Sequence, residues 1–246
     1  MDRMLYVAMS GARETFLAQA ANNNNLANAN TPGFLADLQQ FRSMPVFGDG
    51  YPTRVFALSE RPGVDFKHGS LTHTGRELDV AINGDGWFAV QARDGNEAYS
   101  RRGDLKIDAN GILTTGNGLP LMGNGGPIAI PPAEKIDIAA DGTISIRPLG
   151  QAVTELAVID RIKMVKPDNR ELYKGDDGLM RLRSGDTALA DAEIQLAAGT
   201  IESSNVNVVD QMVDMIELQR RYEFQIKMMK TAEEIDQAST TIMRIS

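Results

Sequence analysis

The sequence predicts an α+β protein in which long N- and C-terminal helices bracket a central antiparallel β-rich body. Three observations carry this. All ten prolines fall between Pro32 and Pro167, and 22 of the 23 glycines lie between Gly33 and Gly199, so the residues most hostile to a helix interior are confined to the middle. Seven-residue repeats run along the C-terminal segment, through Met215, Tyr222 and Met229 and again through Met228, Ile235 and Ile242. The middle carries Asp94-Gly95, Asn110-Gly111, Asp141-Gly142 and Asp177-Gly178, dipeptides suited to tight hairpins.

Residues 3 to about 28 read as a helix rich in small side chains, with Leu5, Ala8, Ala12, Phe16 and Gln19 spaced as one buried stripe. Thr31-Pro32-Gly33 ends it, because proline disfavours helix at the residue before it. The run Asn22 to Asn25 has poor helix propensity and is compatible with a fraying last turn. Residues 33 to about 70 show neither period. With turn chemistry at Gly48-Asp49-Gly50-Tyr51-Pro52 and Arg61-Pro62-Gly63, they read as an extended, irregular connector. From Leu71 to Ala198 short strands are expected at 78–82, 87–90, 97–101, 104–108, 135–139, 143–147, 153–165 and 194–197. Their spacing favours antiparallel pairing over βαβ units. From Asn205 onward about 40 helical residues would span roughly 60 Å. That is longer than the β-body can cover, and the heptad period points to helix–helix packing. The expected division is 1–30, 31–70, 71–200 and 201–246.

Composition excludes several functions. The net charge is 25 − 33 = −8, against a general nucleic-acid binder, which needs a basic face. No basic run suits an anionic membrane, and no apolar stretch reaches the roughly 18–20 residues of a span. There is no cysteine, hence no disulfide, thiolate metal site or cysteine nucleophile. The opening apolar run is too short for a cleavable secretory signal, and Ser10, Arg13 and Glu14 follow it. The expectation is a cytosolic protein, or one exported with its N-terminus intact.

Candidate chemistry is thin. Gly84-Asp85-Gly86-Trp87-Phe88-Ala89 matches the G-x-G-x-x-A dinucleotide fingerprint, but that motif needs a helix N-terminus next, and a strand follows here. A hairpin turn is the better reading. His68 and His73, with Asp65 and Asp79 nearby, read as surface histidines, since a metal needs three or four converging ligands. Asp108-Ala109-Asn110-Gly111 resembles a calcium loop without its remaining ligands. No nucleophile, base or oxyanion device is arranged recognisably. No catalytic residue, cofactor or metal is expected.

Three ordered motifs resemble those of bacterial flagellar rod and hook proteins. Asn24 to Phe34 (NNLANANTPGF) resembles their N-terminal signature. Glu202 to Asn207, Met212 to Ile216 and Gln219 to Glu223 resemble the C-terminal one. Thr74 to Ile82 with Gly84, Gly86, Trp87 and Phe88, and Tyr99-Ser100-Arg101, resemble the middle. The opening Met1 to Ala12 resembles the F-type proximal rod branch rather than the distal rod or hook. Leu35 departs from the usual Lys or Arg, and Trp87 from the more usual Phe.

The resemblance implies a structural subunit of the basal-body rod, located in the periplasm-spanning rod and exported through the flagellar type III apparatus without a cleaved signal. Its partners would be copies of itself and other rod proteins, with no nucleic acid and no membrane insertion. The terminal helices would pack like a coiled coil as the inner tube, with the β-rich domain outside, transmitting torque and walling the export channel. The implied N-terminal assembly residues are Leu5, Ala8, Ala12, Phe16 and Leu26. The linker signature is Asn25, Asn28, Asn30, Thr31, Gly33 and Phe34. The C-terminal assembly residues are Asn205, Val206, Met212, Met215, Ile216, Gln219, Tyr222, Met229, Ile235 and Ile242. The export signal would lie in Met4 to Val7. A different axial subunit, distal rod or hook, stays open, as does a wall-cleaving enzyme accompanying rod growth.

Overall fold

A computed structural model describes residues 3–45, 55–148 and 157–245, with side chains at all of these except 3, 4, 56, 57, 59–62 and 242–245. The elements are α1 (Arg3–Ala27), β1 (Asp37–Pro45), β2 (Val55–Val64), β3 (Leu71–His73), β4 (Val80–Asn83), β5 (Trp87–Gln91), β6 (Glu97–Ser100), β7 (Leu105–Ile107) and β8 (Leu113–Thr115). There follow β9 (Ala133–Ile138), β10 (Thr143–Pro148), β11 (Ala157–Arg161), β12 (Met164–Val165), β13 (Leu172–Lys174), β14 (Met180–Leu182), β15 (Gln195–Ala198), β16 (Thr200–Glu202) and α2 (Val208–Ile245). The chain is thus α+β, with terminal helices and central antiparallel sheets. It divides into two compact units: residues 1–29, 37–63 and 206–246, and residues 30–36 and 64–205.

In the first unit α1 packs along α2. Asn22 Nδ2 donates to the Gln211 carbonyl at 2.9 Å, while a Cβ added at Gly11 would lie 2.8 Å from Gln225 Nε2. Moving back along α1 therefore moves forward along α2, and the pair is antiparallel. The buried positions of α1 are Ala8, Gly11, Ala12, Glu14, Thr15, Ala18, Asn22 and Asn25. The single buried stripe expected through Leu5 and Phe16 is corrected here, for these are 38% and 61% exposed. Small side chains let the two backbones approach, so Ala, Gly and Thr occupy the seam and the bulky residues are displaced outward. The asparagine run is helical throughout rather than frayed, because Asn22 and Asn25 find polar partners inside. On α2 the covered positions Val208, Gln211, Met215, Leu218, Gln225, Met229 and Ala232 recur at three- and four-residue steps, with one step of seven across the exposed Tyr222. Asn207 caps this helix, its Oδ1 accepting the Val209 N–H at 3.0 Å.

The connector is not irregular: β1 and β2 form a two-stranded sheet, and Arg61-Pro62-Gly63 lies within β2 rather than in a turn. Its side chains are exposed along most of β1, so no period-two pattern betrayed it. The Gly48 to Pro52 turn and the start of the strand expected at 153–165 lie outside the described residues.

The second unit holds a five-stranded sheet in the order β12-β5-β6-β14-β13, a three-stranded sheet β11-β10-β9, and the pairs β15-β4, β16-β3 and β7-β8. The registered pairs are antiparallel. Glycines 95, 111, 142 and 178 all have positive φ and close the four expected turns. Trp87 to Val90 is apolar without interruption because the sheet is covered on both faces. Phe88 and Val90 join a core with Leu105, Leu113, Leu121 and Ile144, and Trp87 and Ala89 join a second with Leu35, Tyr99 and Met180. Gly84-Asp85-Gly86 is a turn into a strand, as expected, but not a hairpin: β4 pairs with β15 and β5 with β6.

Candidate functional site

The outward faces of the helix pair carry unusual apolar surface. Leu5, Tyr6, Met9, Phe16 and Leu17 of α1 are 38–61% exposed, and Val209, Met212, Val213, Ile216 and Phe224 of α2 are 47–67% exposed. Large exposed apolar side chains clustered on one helix pair mark interaction sites. On α1 the large side chains lie outside and the small ones inside, the inverse of the usual arrangement in a self-sufficient hairpin.

The linker signature performs two kinds of work. Within the first unit, Asn25 Nδ2 donates to the Asp37 carbonyl at 3.0 Å and Asn25 Oδ1 accepts the Asp37 N–H at 2.9 Å. A planar amide thereby pairs with β1 as a strand backbone would. Asn25 Nδ2 also donates to Gln211 Oε1 at 3.3 Å. Asn28 turns back on its own helix, its Nδ2 donating to the Asn24 carbonyl at 3.0 Å.

Within the second unit, Gly33 has φ +66, and a Cβ there would lie 2.4 Å from the Arg101 carbonyl carbon. Its N–H donates to the Glu202 carbonyl at 2.9 Å. Only glycine meets both the left-handed backbone and the close approach. Phe34 lies under the Lys174 ammonium at 4.2 Å, and its N–H donates to the Thr31 carbonyl at 3.3 Å. Asn205 Oδ1 accepts the Ala36 N–H at 2.8 Å, and its Nδ2 donates to the carbonyls of Asp65 and Lys67 at 2.8 and 2.9 Å.

Beneath this turn lies a buried ion pair that sequence reasoning missed. Arg101 Nε donates to Glu202 Oε2 at 2.7 Å, with the two side chains 3% and 1% exposed. The remaining Arg101 nitrogens donate to the carbonyls of Gly86 and Gly84, and Glu202 Oε1 accepts the Gly69 N–H. The pair is well satisfied, which a buried ion pair requires. The two residues stand 101 positions apart, so no local pattern joins them; Tyr99-Ser100-Arg101 and Glu202 had surfaced only as separate motif members. Leu35, expected where charge is usual, is 5% exposed and shares a core with Trp87. The two departures from the resemblance thus meet in one cluster.

A cleft of about 210 Å³ beside Trp87 is rimmed by His68, Asp85 and Lys166. His68 Nε2 lies 3.1 Å from Asp85 Oδ1, and this hydrogen bond, with Lys166 at 3.5 Å, holds the Asp85 carboxyl below its ordinary range. Among the described residues no cluster of three His, Asp or Glu side chains could hold a metal. In the calcium-like loop Asp108 accepts the backbone N–H groups of Asn110 and Ile112, which engages the carboxylate in an Asx turn.

The remaining assembly residues are placed as follows. Ala8 and Ala12 are in the seam; Leu26, Val206, Met215 and Met229 are half-buried; Gln219 and Asn30 are exposed. Tyr222 and Ile235 are 37% and 53% exposed. The side chains of Met4 and Ile242 lie outside the described residues.

Paired terminal helices, an asparagine-anchored turn and an intervening β-body are features of a flagellar axial protein, and comparison with known proteins gives the same class. Residues 197–242 match the family described as flagellar basal body rod FlgEFG protein C-terminal, and residues 81–146 match the flagellar hook protein FlgE/F/G D1 domain. The chain is 42% identical to the flagellar basal-body rod protein FlgF of Escherichia coli K12, over 95% of each chain. To that of Salmonella typhimurium LT2 it is 41% identical over the whole of both. It is 30% identical to the rod protein FlgG of Bacillus subtilis 168, over 99% of this chain. The chain belongs to the flagellar rod and hook family, in its FlgF branch.

Proposed function

We propose that this chain is a structural, non-enzymatic subunit of the proximal rod, polymerising with copies of itself and other rod proteins. The observation that carries the reading is the helix pair, in which small residues of α1 face Met215, Leu218 and Met229 of α2 while Leu5, Phe16, Met212 and Ile216 face outward. Those outward residues, with Tyr222 and Ile235, are the surface that neighbouring subunits cover, and the helix pair forms the coiled-coil-like inner tube through which later subunits pass. Residues 1–30 and 201–246 then supply the inner domain, 31–70 the linker and 71–200 the outer domain.

Export through the flagellar type III apparatus with an intact N-terminus suits a chain without cysteine, since no disulfide can obstruct passage through a narrow channel. Among the described residues no helix is long and apolar enough to cross a membrane. The greater identity to the FlgF proteins of Escherichia coli and Salmonella typhimurium than to the FlgG of Bacillus subtilis favours a proximal over a distal position. Purified basal bodies test the reading: the chain should co-purify with the rod at its full encoded N-terminus. Its absence from rods, or its recovery with a trimmed N-terminus, would overturn the corresponding part.

A further inference from the structure

α2 outruns α1. Since Gly11 stands opposite Gln225 and the helices are antiparallel, Arg3 at the start of α1 stands beside about residue 233. α2 continues to Ile245, an overhang of about 12 residues or ~18 Å. Burial marks the same limit. Ala232 is 1% exposed, and every side chain from Glu233 to Thr241 is exposed. A single helix projecting this far is unstable in water without a partner.

The overhang is acidic where it begins, with Glu233, Glu234 and Asp236, and the stretch of α2 before it is basic, with Arg220, Arg221, Lys227 and Lys230 interrupted by Glu223. Arg220 and Arg221 sit on a groove of about 350 Å³ lined also by Gly11, Thr15, Phe224 and Gln225. Gly11 contributes no side chain to fill it. Arg221 reaches Glu217 only at 3.5 Å across an exposed pair, an interaction of little energy.

The geometry points to a second copy of this chain as the occupant of that groove, its acidic overhang lying along Arg220 and Arg221. Where α2 runs along the tube axis, as the rod reading has it, rotation and translation about that axis keep the α2 helices of successive copies parallel, and a heterologous contact of this kind propagates. A stagger of 13 residues, ~20 Å, brings Glu233 and Glu234 beside Arg220 and Arg221, and that stagger nearly equals the overhang itself. The overhang, uncovered by its own α1, thus gains residues 220–232 of the neighbour as its partner. Charge sets this register, as facing charges do between coiled helices, and Ile235 at the level of the neighbour's Tyr222 adds apolar contact. The inference rests on the rod reading and goes beyond it by fixing which residues of successive copies meet.

The natural absence of cysteine makes the test clean. Arg221→Cys and Glu234→Cys would be placed in one chain, and purified basal bodies treated with a short bismaleimide. The expected result is a ladder of bands at multiples of the monomer mass, beginning at twice, from the double variant and none from either single variant. A double variant present in basal bodies yet wholly monomeric after treatment would overturn the inference and leave the rod reading intact. Absence of the unaltered chain from basal bodies would overturn both. Charge exchange gives a second readout. Arg220→Glu with Arg221→Glu should abolish motility, and adding Glu233→Lys and Glu234→Lys should restore it. Failure to restore, with all variants exported at equal level, counts against the charge register.

Discussion

The Asn25 side chain pairs with the Asp37 backbone through two hydrogen bonds, donating at 3.0 Å and accepting at 2.9 Å. An amide is the side chain that can present donor and acceptor in one plane at this reach. Asn25→Asp keeps the acceptor and loses the donor, and Asn25→Ala loses both. The expected cost is about 1–3 kcal/mol, with faster amide exchange at Asp37 in the alanine variant, which loses the acceptor. Unchanged protection at Asp37 would remove this anchor from the account.

The Arg101–Glu202 pair is the next test. Replacing Arg101 by Ala leaves a carboxylate at 1% exposure without its cation, which costs about 3–5 kcal/mol. Trp87 is the single tryptophan, and its ring lies 6.0 Å from the Arg101 guanidinium carbon, so its fluorescence reports on the cluster. The urea midpoint of the variant should fall steeply, whereas Arg221→Ala, at an arginine whose ion-pair partner Glu217 is as exposed as itself, should shift it little. Equal midpoints for the two variants would show that burial of the pair has no energetic weight.

Alkaline pH gives a third. Burial pushes the Tyr99 phenol up to about 12 from 10.0, outweighing the Ala188 N–H that donates to its oxygen at 2.7 Å. The unfolded chain loses this proton near 10 and the folded chain holds it, so the contribution is fully present below pH 10. It is lost as pH rises toward 12, about 2–3 kcal/mol in all. Absorbance titration should show one of the five tyrosines ionising late, and Tyr99→Phe should remove that step. A titration uniform near 10 would contradict the burial of this ring.

Phe16 separates folding from assembly. At 61% exposure, Phe16→Asp should change monomer stability by no more than about 0.5 kcal/mol, yet abolish motility. Ala18→Asp, in the buried seam, should damage both. Motility at the normal level with Phe16→Asp would remove the outward face from the interface.

These contrasts also show what was legible in the chain. The turns were, because glycine after Asp or Asn names a positive-φ position, and residues 95, 111, 142 and 178 adopt it. The helix extents were, because Gly and Pro avoid them. The composition of the seam was not, since a stripe search weights bulky side chains and this pair buries Ala8, Gly11, Ala18 and Asn22. β1 and β2 were hidden for a related reason: strands with mostly exposed side chains on β1 leave no alternation to read. The Arg101–Glu202 clasp joins residues 101 positions apart, a separation that only the folded chain reveals. Leu35 was noticed as a departure, but its burial beside Trp87 is a tertiary fact.

The most direct test of the central claim is an in-frame deletion of the gene in a motile host, followed by electron microscopy of purified basal bodies. The account predicts rings without a complete rod or hook, restored by the intact gene but not by one lacking residues 205–246. Complete, hook-bearing basal bodies in the deletion strain would contradict it.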